Sequence, residues 1–187
     1  MDLPALLDQA VTSTGKVVAG VRPDQLDAPT PCAEWDVREV LNHVIGVSVA
    51  FSHAAEGDPF SRPDHLTDYF EGDGYAAAYD AATERLLAAW RTPGALDATV
   101  RLSFGDVPGS AAASINFVDV LVHGWDLARA TGQHPNVDPD LAEAALEVSH
   151  DLITDQIRSA GAFGPEVAAP AGAPAPDRLV AFLGRTP

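Results

Sequence analysis

Apolar residues recur at helical spacing in several long segments, each closed by a proline- or glycine-rich break, and this pattern most constrains the fold. Leu3, Leu7, Ala10, Val17, Val18 and Val21 predict a first helix from about Asp2 to Val21. Three prolines interrupt "RPDQLDAPTPCAEW". Beyond them Asp36 fits an N-cap, and a second helix is expected from about Val37 to Ala55, ended by Gly57. Residues 57–72, "GDPFSRPDHLTDYFEG", have two prolines and no sustained period, so they form a long connection.

A third helix is expected over Tyr75–Trp90, with Tyr79, Ala82, Leu86 and Trp90 on one face. "ATVRLSFGDVPGS" has β-branched residues and partial alternation, which predicts a short β-hairpin. The fourth helix covers about Ser110–Thr131, with Gly132 as the left-handed residue that ends it. A fifth starts after Pro139 and runs to about Ser159. In the Ala/Pro/Gly-rich tail, "DRLVAFLG" predicts a short final helix that docks back on the bundle. The expected fold is all-α: a four-helix bundle with a long crossover, a short β-hairpin before the fourth helix and a short C-terminal helix. One domain over residues 1–187 is expected. Strand–helix alternation is absent, as are GxGxxG and GxxxxGK[ST], which argues against an α/β nucleotide-binding fold.

Charge narrows the partners. A formal net charge of -16 repels phosphate backbones and anionic headgroups, so neither nucleic acid nor membrane is an expected partner. No stretch approaches the length of a membrane span, and the start lacks a basic region followed by an apolar one. A cytoplasmic location is expected. Cys32 is the only cysteine, which excludes an internal disulfide and a cysteine-rich zinc site.

The stretch "NFVDVLVHGWDLARATGQ" poses the chemical question. Asp119 and His123 stand at i,i+4 on one helical face, joined by Asp126 at i+7, on a stripe shared with Ile115, Val122 and Ala130. An uncompensated polar group buried there costs roughly 2–7 kcal/mol. His43 also shares a stripe with Val40, Val44, Val47 and Phe51, so the second helix turns an imidazole inward as well. Two readings account for these groups. They form a hydrogen-bonded core network, or two neutral imidazoles and a carboxylate hold a divalent metal with one position open.

Other candidates are weaker. His53, His65, His134 and His150 read as solvated surface, and Cys32 as a packing residue in a loop without an adjacent base. Ser103, Ser110 and Ser114 lack a nucleophile-elbow context. Asp138 and Asp140 read as ordinary helix-start residues.

"TPCAEWDVREVLNHVIG", "FGDVPG", "DVLVHGWDLARATGQ" and the closing "APAPDRLVAFLGR" together resemble the actinobacterial DinB-like metal-binding proteins. These are related to the N-terminal domain of mycothiol-dependent maleylpyruvate isomerase. The resemblance implies a DinB-like four-helix bundle whose metal ligands fall on His43, Asp119 and His123. Asp126 would then hold the ring nitrogen of His123 that faces away from the metal. Trp125 and Arg129 lie off that face. The isomerase has Glu at the position of Asp119 and carries a further C-terminal domain, so maleylpyruvate isomerisation itself is not the expected activity.

The implied function is a divalent-metal-dependent thiol S-transferase, with Zn foremost and Ni or Fe also suited to the donor set. Its partners would be a small-molecule thiol such as mycothiol and an electrophilic cosubstrate, and a homodimer is compatible with the sequence. No residue is assigned as catalytic. The alternatives are a metal-dependent hydrolase and a non-enzymatic, metal-stabilised binding or sensing protein.

Overall fold

The structure is a computed structural model and describes residues 2–32, 35–102, 105–154, 158 and 163–187. Among them are six α-helices and one hairpin: α1 (Leu3–Ala19), α2 (Val37–Ala55), α3 (Tyr75–Trp90), β1 (Thr99–Leu102), β2 (Gly105–Pro108), α4 (Gly109–Thr131), α5 (Pro139–Leu152) and α6 (Ala175–Phe182). The all-α class and the hairpin before α4 are as expected. β1 and β2 are antiparallel, with Val100 opposite Val107 and Arg101 opposite Asp106. Ser103 lies outside the described residues.

Local chemistry accounts for the helix ends. The Asp36 side chain accepts from Glu39 N while Glu39 accepts from Asp36 N, a reciprocal capping box that starts α2. Gly132 ends α4 at φ 71°, in the left-handed region, as expected. α1 stops at Ala19 rather than Val21, with Gly20 as its C-cap. α5 stops at Leu152, short of the expected Ser159, because Ile153 turns extended at φ -93°, ψ 90°. Ile153 and Thr154 are both β-branched and disfavour another helical turn; Ser159 lies outside the described residues.

The described residues group into two compact units, 1–135 and 136–187. In the first, α1 packs on α3 and α4, and α2 packs on the same two helices, so the order around the bundle is α1–α3–α2–α4. Tyr75 Oη donates to Val21 O and Tyr79 Oη to Val11 O, which sets α1 and α3 antiparallel. Thr14 Oγ1 donates to Val120 O and Gln133 Nε2 to Val17 O, which sets α1 and α4 parallel. Phe51 meets Trp90 and Glu56 pairs with Arg85, while Arg38 and Tyr75 both meet Phe70, so α2 and α3 run the same way. A parallel neighbour requires the chain to return along the full helix, about 28 Å for the 19 residues of α2. The long connection after α2 makes that return.

The second unit pairs α5 with α6. Arg178 binds Glu143, and the ring of His150 lies 4.3 Å from that of Phe182. No described helix is long and apolar enough to cross a membrane.

Candidate metal centre

Both sides of α4 are occupied, by α1 and by α2, so its buried residues run from Ala112 and Phe117 through Trp125 to Ala128 with no single apolar stripe. A helix covered this way must satisfy any inward polar group within the bundle. Asp119 and His123 face α2, where His43 meets them. His43 Nε2 lies 3.3 Å and His123 Nε2 3.7 Å from the same oxygen, Asp119 Oδ1. The three donor atoms all fall within 4.8 Å of one another. His43 and His123 are 5% and 6% exposed, which leaves little access except past Asp119.

The other nitrogen of His123 is held from behind. Asp126 is fully buried and its Oδ2 lies 3.0 Å from His123 Nδ1. An ionised carboxylate at Asp126 would accept the proton of Nδ1 and leave Nε2 as the donor atom. Burial lowers the pKa of His43 below the usual imidazole value. Asp119 opposes that shift, while His123 and the positive charge of Arg62 add to it. The imidazole is thereby kept neutral, the form a metal needs.

The donor set fits a divalent cation. Tetrahedral bonds of about 2.0–2.2 Å separate neighbouring donors by about 3.3–3.6 Å. The two nitrogen–oxygen distances of 3.3 and 3.7 Å are close to that spacing. Among the expected residues, His43, Asp119, His123 and Asp126 come together. Trp125 is buried outside this cluster, and exposed Arg129 stacks on its ring at 5.5 Å.

Three neighbours add to the sequence reading, and one of them, Cys32, corrects it. Trp35 covers the cluster, its ring centroid 4.7 Å from His43, 5.8 Å from His123 and 4.9 Å from His65. His65, with 33% of its side chain exposed, stacks on Trp35. Cys32 does have a base beside it: its sulfur, a His123 nitrogen and an Asp126 oxygen lie within 4.8 Å of one another. The loop is held in place by Thr30 Oγ1, which accepts from Cys32 N and donates to Trp35 O. A Pro29–Asp36 bridge closes its base. Trp35 directly precedes the N-cap of α2, two turns before His43, which was a readable hint. Nothing local to Cys32 or His65 signals their position.

Bundle and donor set together define a class, the helical proteins with a two-histidine, one-carboxylate cluster between facing helices. Residues 7–128 match the mycothiol maleylpyruvate isomerase N-terminal domain family, and the chain belongs to it. Uncharacterised proteins from two Mycobacterium tuberculosis strains are 39% identical over 173 residues, covering 91% of this chain and 90% of theirs. The crystal structure of the mycothiol-dependent maleylpyruvate isomerase is similar at TM-score 0.66 and 18% identity, over 94% of this chain and 78% of that one. A histidine-to-alanine mutant of that enzyme gives a TM-score of 0.68 at the same identity and coverage. At this identity the likeness shows the fold.

Proposed function

We propose that this protein is a metal-dependent thiol S-transferase that uses a low-molecular-weight thiol such as mycothiol against an electrophilic cosubstrate. The observation that carries the reading is the convergence of His43, Asp119 and His123 from two facing helices. Family membership supports the thiol, since the isomerase of the same family is named for its dependence on mycothiol.

His43 and His123 would hold the cation through ring nitrogens, and Asp119 would supply the one negative charge. Asp126, 3.0 Å from His123 Nδ1, would hold a proton on that nitrogen and orient the ring. A bound divalent cation, with zinc best suited and nickel or iron also compatible, supplies the Lewis acidity that lowers the pKa of a thiol. Trp35 shields the cluster from bulk water on the loop side, which strengthens electrostatic interactions within it.

One specific observation favours a rival. Asp119 lies 3.3 Å from His43, and Asp126 3.0 Å from His123, so the four groups also make a hydrogen-bonded network without metal. Elemental analysis of purified wild type beside His43→Ala separates the two. Near-stoichiometric metal in wild type, lost in the variant, is expected. Failure of wild type to bind added Zn²⁺, Ni²⁺ or Fe²⁺ would leave the network as the answer. Thiol consumption with a small electrophile then tests the transferase, while ester turnover without thiol would indicate a hydrolase.

A further inference from the structure

The His123 ring is approached at both of its nitrogens. Nε2 faces Asp119 Oδ1, the oxygen that His43 also approaches, whereas Nδ1 lies 3.0 Å from Asp126 Oδ2. Cys32 belongs with Asp126: its sulfur, a His123 nitrogen and an Asp126 oxygen fall within 4.8 Å of one another. A thiol, an imidazole and a carboxylate therefore converge from the Thr30 loop and from two residues of α4 one turn apart. Cys32 is half-buried and Asp126 fully buried.

The loop presents Cys32 rigidly. Its N–H donates to Thr30 Oγ1 at 3.1 Å and its carbonyl accepts from Trp35 N at 3.1 Å. A donor whose backbone is held on both sides loses little freedom when it binds. Charge favours a cation as well. A thiolate and a carboxylate together neutralise a divalent ion, which suits a place where Asp126 has no exposed surface, whereas His43, Asp119 and His123 offer one negative charge. A thiolate ligand selects Zn²⁺ or Cd²⁺ over the harder Mg²⁺ and Mn²⁺. Tetrahedral ligation brings sulfur and nitrogen to about 3.5 Å. Donors up to 4.8 Å apart must draw together to reach that, so the group closes on a cation supplied in excess and binds it more weakly than the first cluster does.

We propose that Cys32, His123 and Asp126 form a second cation site, selective for thiophilic divalent ions and sharing His123 with the first. This site needs neither the thiol nor the electrophile of the transferase reading. Cys32 is the only cysteine, so thiolate-to-metal charge-transfer absorption reports on it alone. Cd²⁺ is titrated into wild type and His43→Ala, and then into His43→Ala combined with His123→Ala or with Asp126→Asn, with circular dichroism confirming the helices. His43→Ala, which disables only the first cluster, should still develop the absorption, and excess Mn²⁺ should not suppress it. Either added substitution should weaken Cd²⁺ binding, read from the same absorption, by about tenfold or more. No absorption at millimolar Cd²⁺ in wild type and His43→Ala overturns the proposal. So does equally tight binding after loss of His123 and of Asp126, which would mean that the thiol binds alone, or equal competition by Mn²⁺.

Discussion

On the α1 side of α4, Thr14 Oγ1 donates to Val120 O at 3.0 Å, and its side chain fills the space left by Gly124. On the α2 side, Asp119 stands between two imidazoles that both approach one of its oxygens. Both interfaces are buried and both contain polar atoms. The first ends its polar contact on backbone and serves packing. The second aims side-chain donors at a common point, which is costly unless something binds there. One helix thus carries a packing face and a face of converging donors, and damage to each should be measurable separately.

The largest effect is expected from His123→Ala, which should eliminate near-stoichiometric metal while the α1 face keeps the helical spectrum intact; elemental analysis with circular dichroism checks both. Gly124→Ala attacks the other face. Its β-carbon would fall 2.2 Å from Thr14 Oγ1, so about 3 kcal/mol of stability should be lost by urea unfolding, from overpacking and a broken hydrogen bond. Adding Thr14→Ala should recover part of that loss, a non-additivity expected of touching side chains.

Asp126→Asn is subtler. The fold should persist, while metal affinity measured by competition with a chelator falls about 10–100-fold as His123 loses its orienting carboxylate. An unchanged affinity would mean Asp126 serves packing alone.

Tyr79→Phe should cost least, about 1 kcal/mol, through loss of the bond to Val11 O. Burial pushes the Tyr79 phenol far above its usual value. Above pH ~10 the unfolded chain therefore releases a proton the folded one keeps. Wild-type stability should fall there by up to about 1.4 kcal/mol per pH unit, and the Phe variant should lose less.

Much of this was legible in order. Asp36 with Glu39, Gly132 and Asp138 mark helix ends through contacts within a few residues. The shared face of Asp119 and His123 follows from the helical repeat alone. That His43 would meet them needed a bundle in which α2 and α4 are neighbours, an expectation the family resemblance supplied. What escaped the sequence lies in loops. His65 and Cys32 carry no periodic signal, and what surrounds them is set by chain segments far away in sequence.

By itself the sequence determined the helices, their caps and which side chains share a helical face, because each depends on interactions spanning one or two turns. Only the tertiary structure decided that Trp35 covers the donor cluster with His65 stacked on it, and that Cys32 lies beside His123. Those placements depend on how the Thr30 turn and the crossover close over α2. Loop closure over such distances is governed by packing and hydrogen bonds that no local window contains.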